Sequence, residues 1–177
     1  MTRYRRSHTP GATWFFTVNL AERRATRLLV DHVAILREAF ARVRANHPFG
    51  MDAIVVLPDH LHCLWRLPAG DADYATRWAL IKGRFSRALP TTEPVSASRR
   101  SRGERGIWQR RFWEHQIRDE HDYRRHADYI HYNPVKHGHA KSAAAWPYSS
   151  FHAFVRKGIC PADWAEPPRP ITGMPFD

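Results

Sequence analysis

Residues 13–20 read TWFFTVNL, an aromatic and β-branched run that predicts a strand. The period then changes. Over residues 31–46, Val33, Leu36, Phe40 and Val43 recur at helical spacing, with Arg37, Arg42 and Arg44 between them. Asp31 is placed to cap this helix, and Pro48 lies just past its end. Residues 52–60, DAIVVLPDH, predict a second strand. Pro58 and Asp59 make a turn, and HLHCLWRLP continues extended to Pro68. Two strands of a hairpin follow, with a pair of histidines early on the second. Residues 73–88 return to helical spacing through Trp78, Ile81 and Phe85.

Residues 90–106, PTTEPVSASRRSRGERG, carry no hydrophobic period and predict a mobile, arginine-rich loop inside the domain. The aromatic segment 107–118, IWQRRFWEHQIR, predicts a strand, and a helix is expected over 120–132. Asn133-Pro134 is expected to end that helix, because proline disfavours α geometry in the residue before it, and His137-Gly138 is a second stop signal. A last short helix is expected over 143–155, followed by a Pro-rich tail from about residue 160 to 177. The order β–α–β–β–α, loop, β–α matches the ferredoxin-like βαββαβ plan. The expectation is one α+β domain over 1–177: an antiparallel sheet with helices on one face and a short C-terminal helical appendage.

Composition narrows the classes. A chain of 177 residues that is 43% hydrophobic is long enough for one core and too apolar for disorder. No apolar run reaches the roughly 18–20 residues of a membrane span, so no membrane partner is expected. The basic start lacks the apolar stretch of a secretory signal. Cys63 and Cys160 make no disulfide framework, which fits a cytoplasmic protein. The net charge of +11 favours a polyanion as partner, nucleic acid above all.

Candidate chemistry begins at LPDHLHCLW. Residues two apart on a strand share a face, so His60 and His62 present two imidazoles to one point, while Leu61 and Cys63 face the other way. Further ligands are sought in DEHDYRRHADYIHYNPVKHG, which carries Tyr123, His126, Tyr129, His131, Tyr132 and Asn133. Tyr129 and Asn133 are four apart and share a helix face. A phenol there suits nucleophilic attack on a phosphate polarised by a metal. Packing roles for the tyrosines, and a solvated histidine pair, are the alternatives. Glu114 and His115 precede this helix, either to assist proton transfer or to make structural hydrogen bonds.

Taken together, VVLPDHLHCLW, RRFWEHQIR and HADYIHYNPVKHG, with RYRR and GATWFFTVNL near the start, resemble the REP-associated tyrosine transposases of the single-tyrosine HUH nuclease superfamily. The resemblance runs from about residue 3 to 160. It implies that His60 and His62 bind a divalent cation, Mg²⁺ or Mn²⁺, that Tyr129 is the nucleophile, and that Asn133 occupies the place of a polar third ligand. It implies cleavage and rejoining of single-stranded DNA at REP-like palindromic hairpins through a 5′-phosphotyrosine, by a monomer in the bacterial cytoplasm at the nucleoid. A protein that binds hairpins but cleaves little is the alternative; a zinc hydrolase built on the histidine pair is a weaker one.

Arg3, Arg5, Arg6, Arg99, Arg100, Arg102, Arg105, Arg110 and Arg111 are the candidate phosphate contacts. Trp14, Trp108, Phe112 and Trp113 are either core residues or platforms for unpaired bases.

Overall fold

The structure, a computed structural model, describes residues 8–91, 95–168 and 171. In chain order the elements are β1 (Thr13–Asn19), α1 (Leu28–Asp31), α2 (Val33–Asn46), β2 (Gly50–Val56), β3 (His60–Arg66), α3 (Tyr74–Ala88), α4 (Ala97–Arg100), β4 (Trp113–Gln116), α5 (Glu120–Lys136), a 3₁₀ turn (Ala143–Ala145) and α6 (Phe151–Arg156). Strand order is β2-β3-β1-β4, every neighbouring pair antiparallel. This is the expected ferredoxin-like sheet. No described helix is long and apolar enough to cross a membrane.

Alternation along β1 divides the sheet into two faces. Trp14 and Phe16 pack against Tyr74 of α3 at ring-centroid distances of 4.8 and 5.4 Å. Trp65 stacks on Trp78 at 4.3 Å, and Phe40 of α2 meets both edge-on. That aromatic layer is the main core, with Trp14, Trp65 and Trp78 all at 1% exposure or less. The two crossover helices α2 and α3 thus lie on one face, as expected. Helix α5 covers the opposite face: Phe15, next to Phe16, meets His126 and Tyr129 of α5. A third layer is therefore present. Only burial explains it, because Phe15 and Leu64 are fully buried on the face away from α2 and α3.

Arg77 of α3 is 3% exposed. Its guanidinium donates to both carboxylate oxygens of Asp71 at 3.1 and 2.6 Å and to the carbonyls of His47, Pro48 and Asp73. It joins the ends of α2 and α3 and holds the Asp71 carboxyl below its ordinary range. Arg77→Met is expected to lower the unfolding free energy by about 3–5 kcal/mol, since it takes the guanidinium donor from five acceptor oxygens. A urea titration monitored by tryptophan fluorescence checks this; an unchanged midpoint would mean that water replaces the guanidinium.

The expectation of helices on one face only is overturned by α5 on the opposite face. Three further expectations need correction. Within 107–118 only Trp113–Gln116 is strand, although Trp108 forms an isolated bridge to Leu20. The helix expected over 143–155 is divided into the 3₁₀ turn and α6. Helix α5 does not stop at Asn133 but runs through Pro134 to Lys136. Proline removes one donor near the helix end, where a single turn remains, so the loss is tolerated. The helix stops instead at the second expected signal, His137-Gly138, where Gly138 has φ +70° and its N–H bonds the Val135 carbonyl at 3.0 Å. Asn133 therefore keeps helical geometry, one turn below Tyr129.

Candidate active site

His60 and His62 both face α5, their rings 4.9 Å apart and nearly perpendicular. They are 3% and 2% exposed. Each ring is oriented through Nδ1. His60 Nδ1 bonds Asp59 Oδ1 at 2.7 Å, and Asp59 Oδ2 accepts from Arg23 Nε at 2.6 Å. His62 Nδ1 pairs with the hydroxyl of Thr17 at 2.9 Å. Orientation through one nitrogen leaves the other for a ligand, the arrangement typical of metal-binding histidines. Burial of the Asp59 carboxyl favours its neutral form, but the bonds and charges of His60 and Arg23 outweigh this and keep it ionised. Burial pushes His62 far down, and the nearby charges of His60, His137, Lys136 and Arg23 add to it. Its imidazole is neutral at physiological pH, the form that donates a lone pair.

Helix α5 closes the site from above. The Tyr129 ring stands edge-on to His62 at 5.2 Å, with Phe15 behind it at 6.1 Å. Lys136 Nζ lies 5.0 Å from the Tyr129 ring centre. His137, just past the helix, approaches the His60 ring to 5.3 Å. His62 Nε2, both amide atoms of Asn133 and Oδ1 of Asn19 are buried with no hydrogen-bond partner among the described residues. Such groups cost free energy when buried alone. Imidazole nitrogen with amide oxygen is a donor set that fits a divalent cation such as Mg²⁺ or Mn²⁺.

Other candidates are not brought here. His131 Nε2 pairs with Ser150 at 3.0 Å and packs on Phe154. Tyr132 meets Trp164. Glu114 pairs in register with Phe16 and so faces the α3 side. His115 takes the structural alternative, with Nε2 bonded to Asp122 Oδ2 at 2.8 Å. Asp122 also accepts from the Arg118 N–H, and its backbone carbonyl meets His126 Nδ1 at 2.7 Å. The donor atoms of His115, Asp122 and His126 lie within 4.8 Å of one another, a spacing that could hold a metal ion. The hydrogen bonds already account for the arrangement, which ties β4 to the first turns of α5. Sequence reasoning missed Asp59, Thr17, Asn19 and Lys136. The signal for two of them was present: Thr17 and Asn19 are the polar alternate positions of TWFFTVNL.

Arg3, Arg5 and Arg6 lie outside the described residues. Arg99 bonds the Trp108 carbonyl, Arg105 bonds those of Ser86, Leu89 and Pro90, and Arg110 pairs with Glu104. Arg100, Arg102 and Arg111 are exposed. Lys82, Arg87, Arg99, Arg102, Arg105 and Arg110 line a cleft of about 510 Å³, with Glu104 as its carboxylate. Arg99 is held by the neutral Trp108 carbonyl, so its charge remains available to an anion. Trp14 and Trp108 are core residues, at 1% and 7% exposure, whereas Trp113 and Phe112 are partly buried.

A ferredoxin-like sheet carrying a histidine pair under a tyrosine-bearing helix defines the class. No family model matches the chain. It is 48% identical over 165 residues to the REP-associated tyrosine transposase of Escherichia coli K12, covering 93% of this chain and 92% of that protein. A Haemophilus influenzae protein, provisionally given the same family name, is 46% identical over 169 residues, covering 95% and 96%. A solved REP-associated tyrosine transposase bound to a REP hairpin superposes with a TM-score of 0.83 at 45% identity, covering 97% and 96% of the two chains. The chain belongs to the REP-associated tyrosine transposases.

Proposed function

We propose that this protein is a metal-dependent single-stranded DNA endonuclease and strand transferase that acts on REP-like hairpins through a 5′-phosphotyrosine. Tyr129 is the nucleophile, and His60, His62 and Asn133 hold Mg²⁺ or Mn²⁺. One observation carries this: the Tyr129 ring stands 5.2 Å from His62, whose Nε2 is buried and unpartnered. That sets the phenol beside an imidazole nitrogen oriented to donate its lone pair. Hairpin DNA as substrate is supported by the REP hairpin bound to the related structure.

The Tyr129 oxygen attacks the scissile phosphorus. A P–O bond to tyrosine forms, the P–O3′ bond breaks, the phenolic proton passes to solvent, and the leaving oxygen takes up a proton as a 3′-hydroxyl. Because one phosphodiester replaces another, attack by a 3′-hydroxyl on the phosphotyrosine reverses the step and rejoins strands without a nucleotide cofactor. A cation bound at the site would supply positive charge to the phosphoryl oxygens. Asp59 and Thr17 hold the two imidazoles in position, and Lys136 places a charge beside the ring that attracts phosphate. Arg99, Arg102, Arg105 and Arg110 in the basic cleft, with exposed Arg100 and Arg111, track the DNA backbone. The protein acts as a monomer at the nucleoid.

The wild-type protein, mixed with a REP hairpin labelled at its 3′ end and Mn²⁺ or Mg²⁺, is expected to give a labelled, SDS-resistant adduct that EDTA prevents. Hairpin binding without any adduct in either metal would reject the enzyme and leave the binding protein.

A further inference from the structure

We infer that Asn19 supplies, through Oδ1, a further oxygen ligand to the cation held by His60 and His62. Mg²⁺ and Mn²⁺ favour oxygen donors, and two imidazoles with one amide leave such an ion short of them. Strand β1 borders β3 in a register that sets Thr17 against His62 and Asn19 against His60. Cross-strand partners point to the same face, and the 2.9 Å contact of Thr17 with His62 shows that face to be the one under α5.

The two pairs then differ. Thr17 spends its hydroxyl on His62 Nδ1. The corresponding nitrogen of His60 already belongs to Asp59, at 2.7 Å. Asn19 is thus not needed to orient its histidine. It is 1% exposed, and its Oδ1 finds no partner among the described residues. Its backbone is held from both sides, by pairing with β3 and by the Gln109 N–H donated to its carbonyl at 3.0 Å. A fixed, desolvated amide oxygen beside His60 is a preorganised hard donor.

Given the cation site proposed above, the test is direct Mn²⁺ binding to the full-length, metal-free protein, followed by electron paramagnetic resonance of free Mn²⁺. The wild type is expected to bind Mn²⁺, and His62→Ala to lose it. Asn19→Ala should weaken binding about 10-fold or more. Asn19→Asp, with a charged oxygen at the same place, should tighten binding and show a larger Mn²⁺-induced rise in Tm than the wild type. A gain in affinity is a result that a damaged fold cannot imitate. If Asn19→Ala and Asn19→Asp both bind as the wild type does, Asn19 is no ligand, while the His60–His62 site stands. If the wild type itself binds no Mn²⁺, the cation site fails and the role of Asn19 falls with it.

Discussion

Tyr129→Phe is expected to bind a REP hairpin as the wild type does and to form no detectable covalent adduct. The substitution removes one oxygen and keeps the ring. Tyr129 is 4% exposed and packs edge-on against Phe15 and His62. A phenyl ring preserves those contacts, so stability should change by less than about 1.5 kcal/mol. The groups proposed to bind the ion stay in place, and Mn²⁺ affinity should be unaltered. What disappears is the oxygen proposed as the nucleophile, and a covalent step cannot be carried by binding energy alone. Tyr123 and Tyr132 lie elsewhere on α5, with Tyr132 against Trp164, so neither replaces it without rebuilding the helix. The measurement is SDS gel electrophoresis of the 3′-labelled hairpin, with hairpin affinity determined in parallel. A residual adduct in the variant would place the nucleophile on another residue.

Acid should begin to destabilise the protein well above the pH at which carboxylates titrate. Burial pushes His126 and His131 down to about 4 from an ordinary value near 6.5. In the unfolded chain both protonate as pH falls through 6.5, whereas in the fold they stay neutral until about 4. The unfolded state therefore binds more protons in that window. The stabilisation is fully present above pH 6.5 and is lost progressively down to about pH 4. The order of magnitude is about 2–3 kcal/mol for each histidine, a large part of the ~5–15 kcal/mol of a typical domain. Below that, Asp122 adds to the loss, because its carboxyl is held low: burial opposes this, but the bonds from His115 and the Arg118 N–H prevail. Urea midpoints at pH 7.5 and 4.5 measure the effect, and His131→Gln should flatten the dependence. Equal midpoints at the two pH values would mean that the buried histidines are charged in the fold.

The hydrophobic pattern carried much of the architecture. TWFFTVNL, the hairpin around Pro58-Asp59 and the two crossover helices form close to where the pattern places them, because strand and helix periods are local properties of the chain. The failures have local causes of another kind. Residues 107–112 are rich in strand-forming aromatics, yet only the bridge of Trp108 to Leu20 pairs them before Trp113. The aromatic character there serves burial instead, as Trp108 against Phe85 shows. At Pro134 the rule for the residue before proline was overridden, because α5 packs across β2 and β3 and the N–H groups of His137 and His139 bond the carbonyls of Asn133 and Pro134.

The site was half legible. His60 and His62 follow from a period of two, and the shared face of Tyr129 and Asn133 from a helical spacing of four; both are determined by covalent geometry within one element. The sequence by itself determined these pairs, the basic charge and the order of strands and helices. It did not determine which layer of the molecule the pairs would share. That required α5 to cross the sheet on the face opposite α2 and α3, bringing Tyr129 to His62. It required β1 to lie beside β3, so that Thr17 and Asn19 meet the histidines across the strands. Those contacts join residues far apart in the chain, and their energies depend on packing and desolvation that exist only once the layers have assembled.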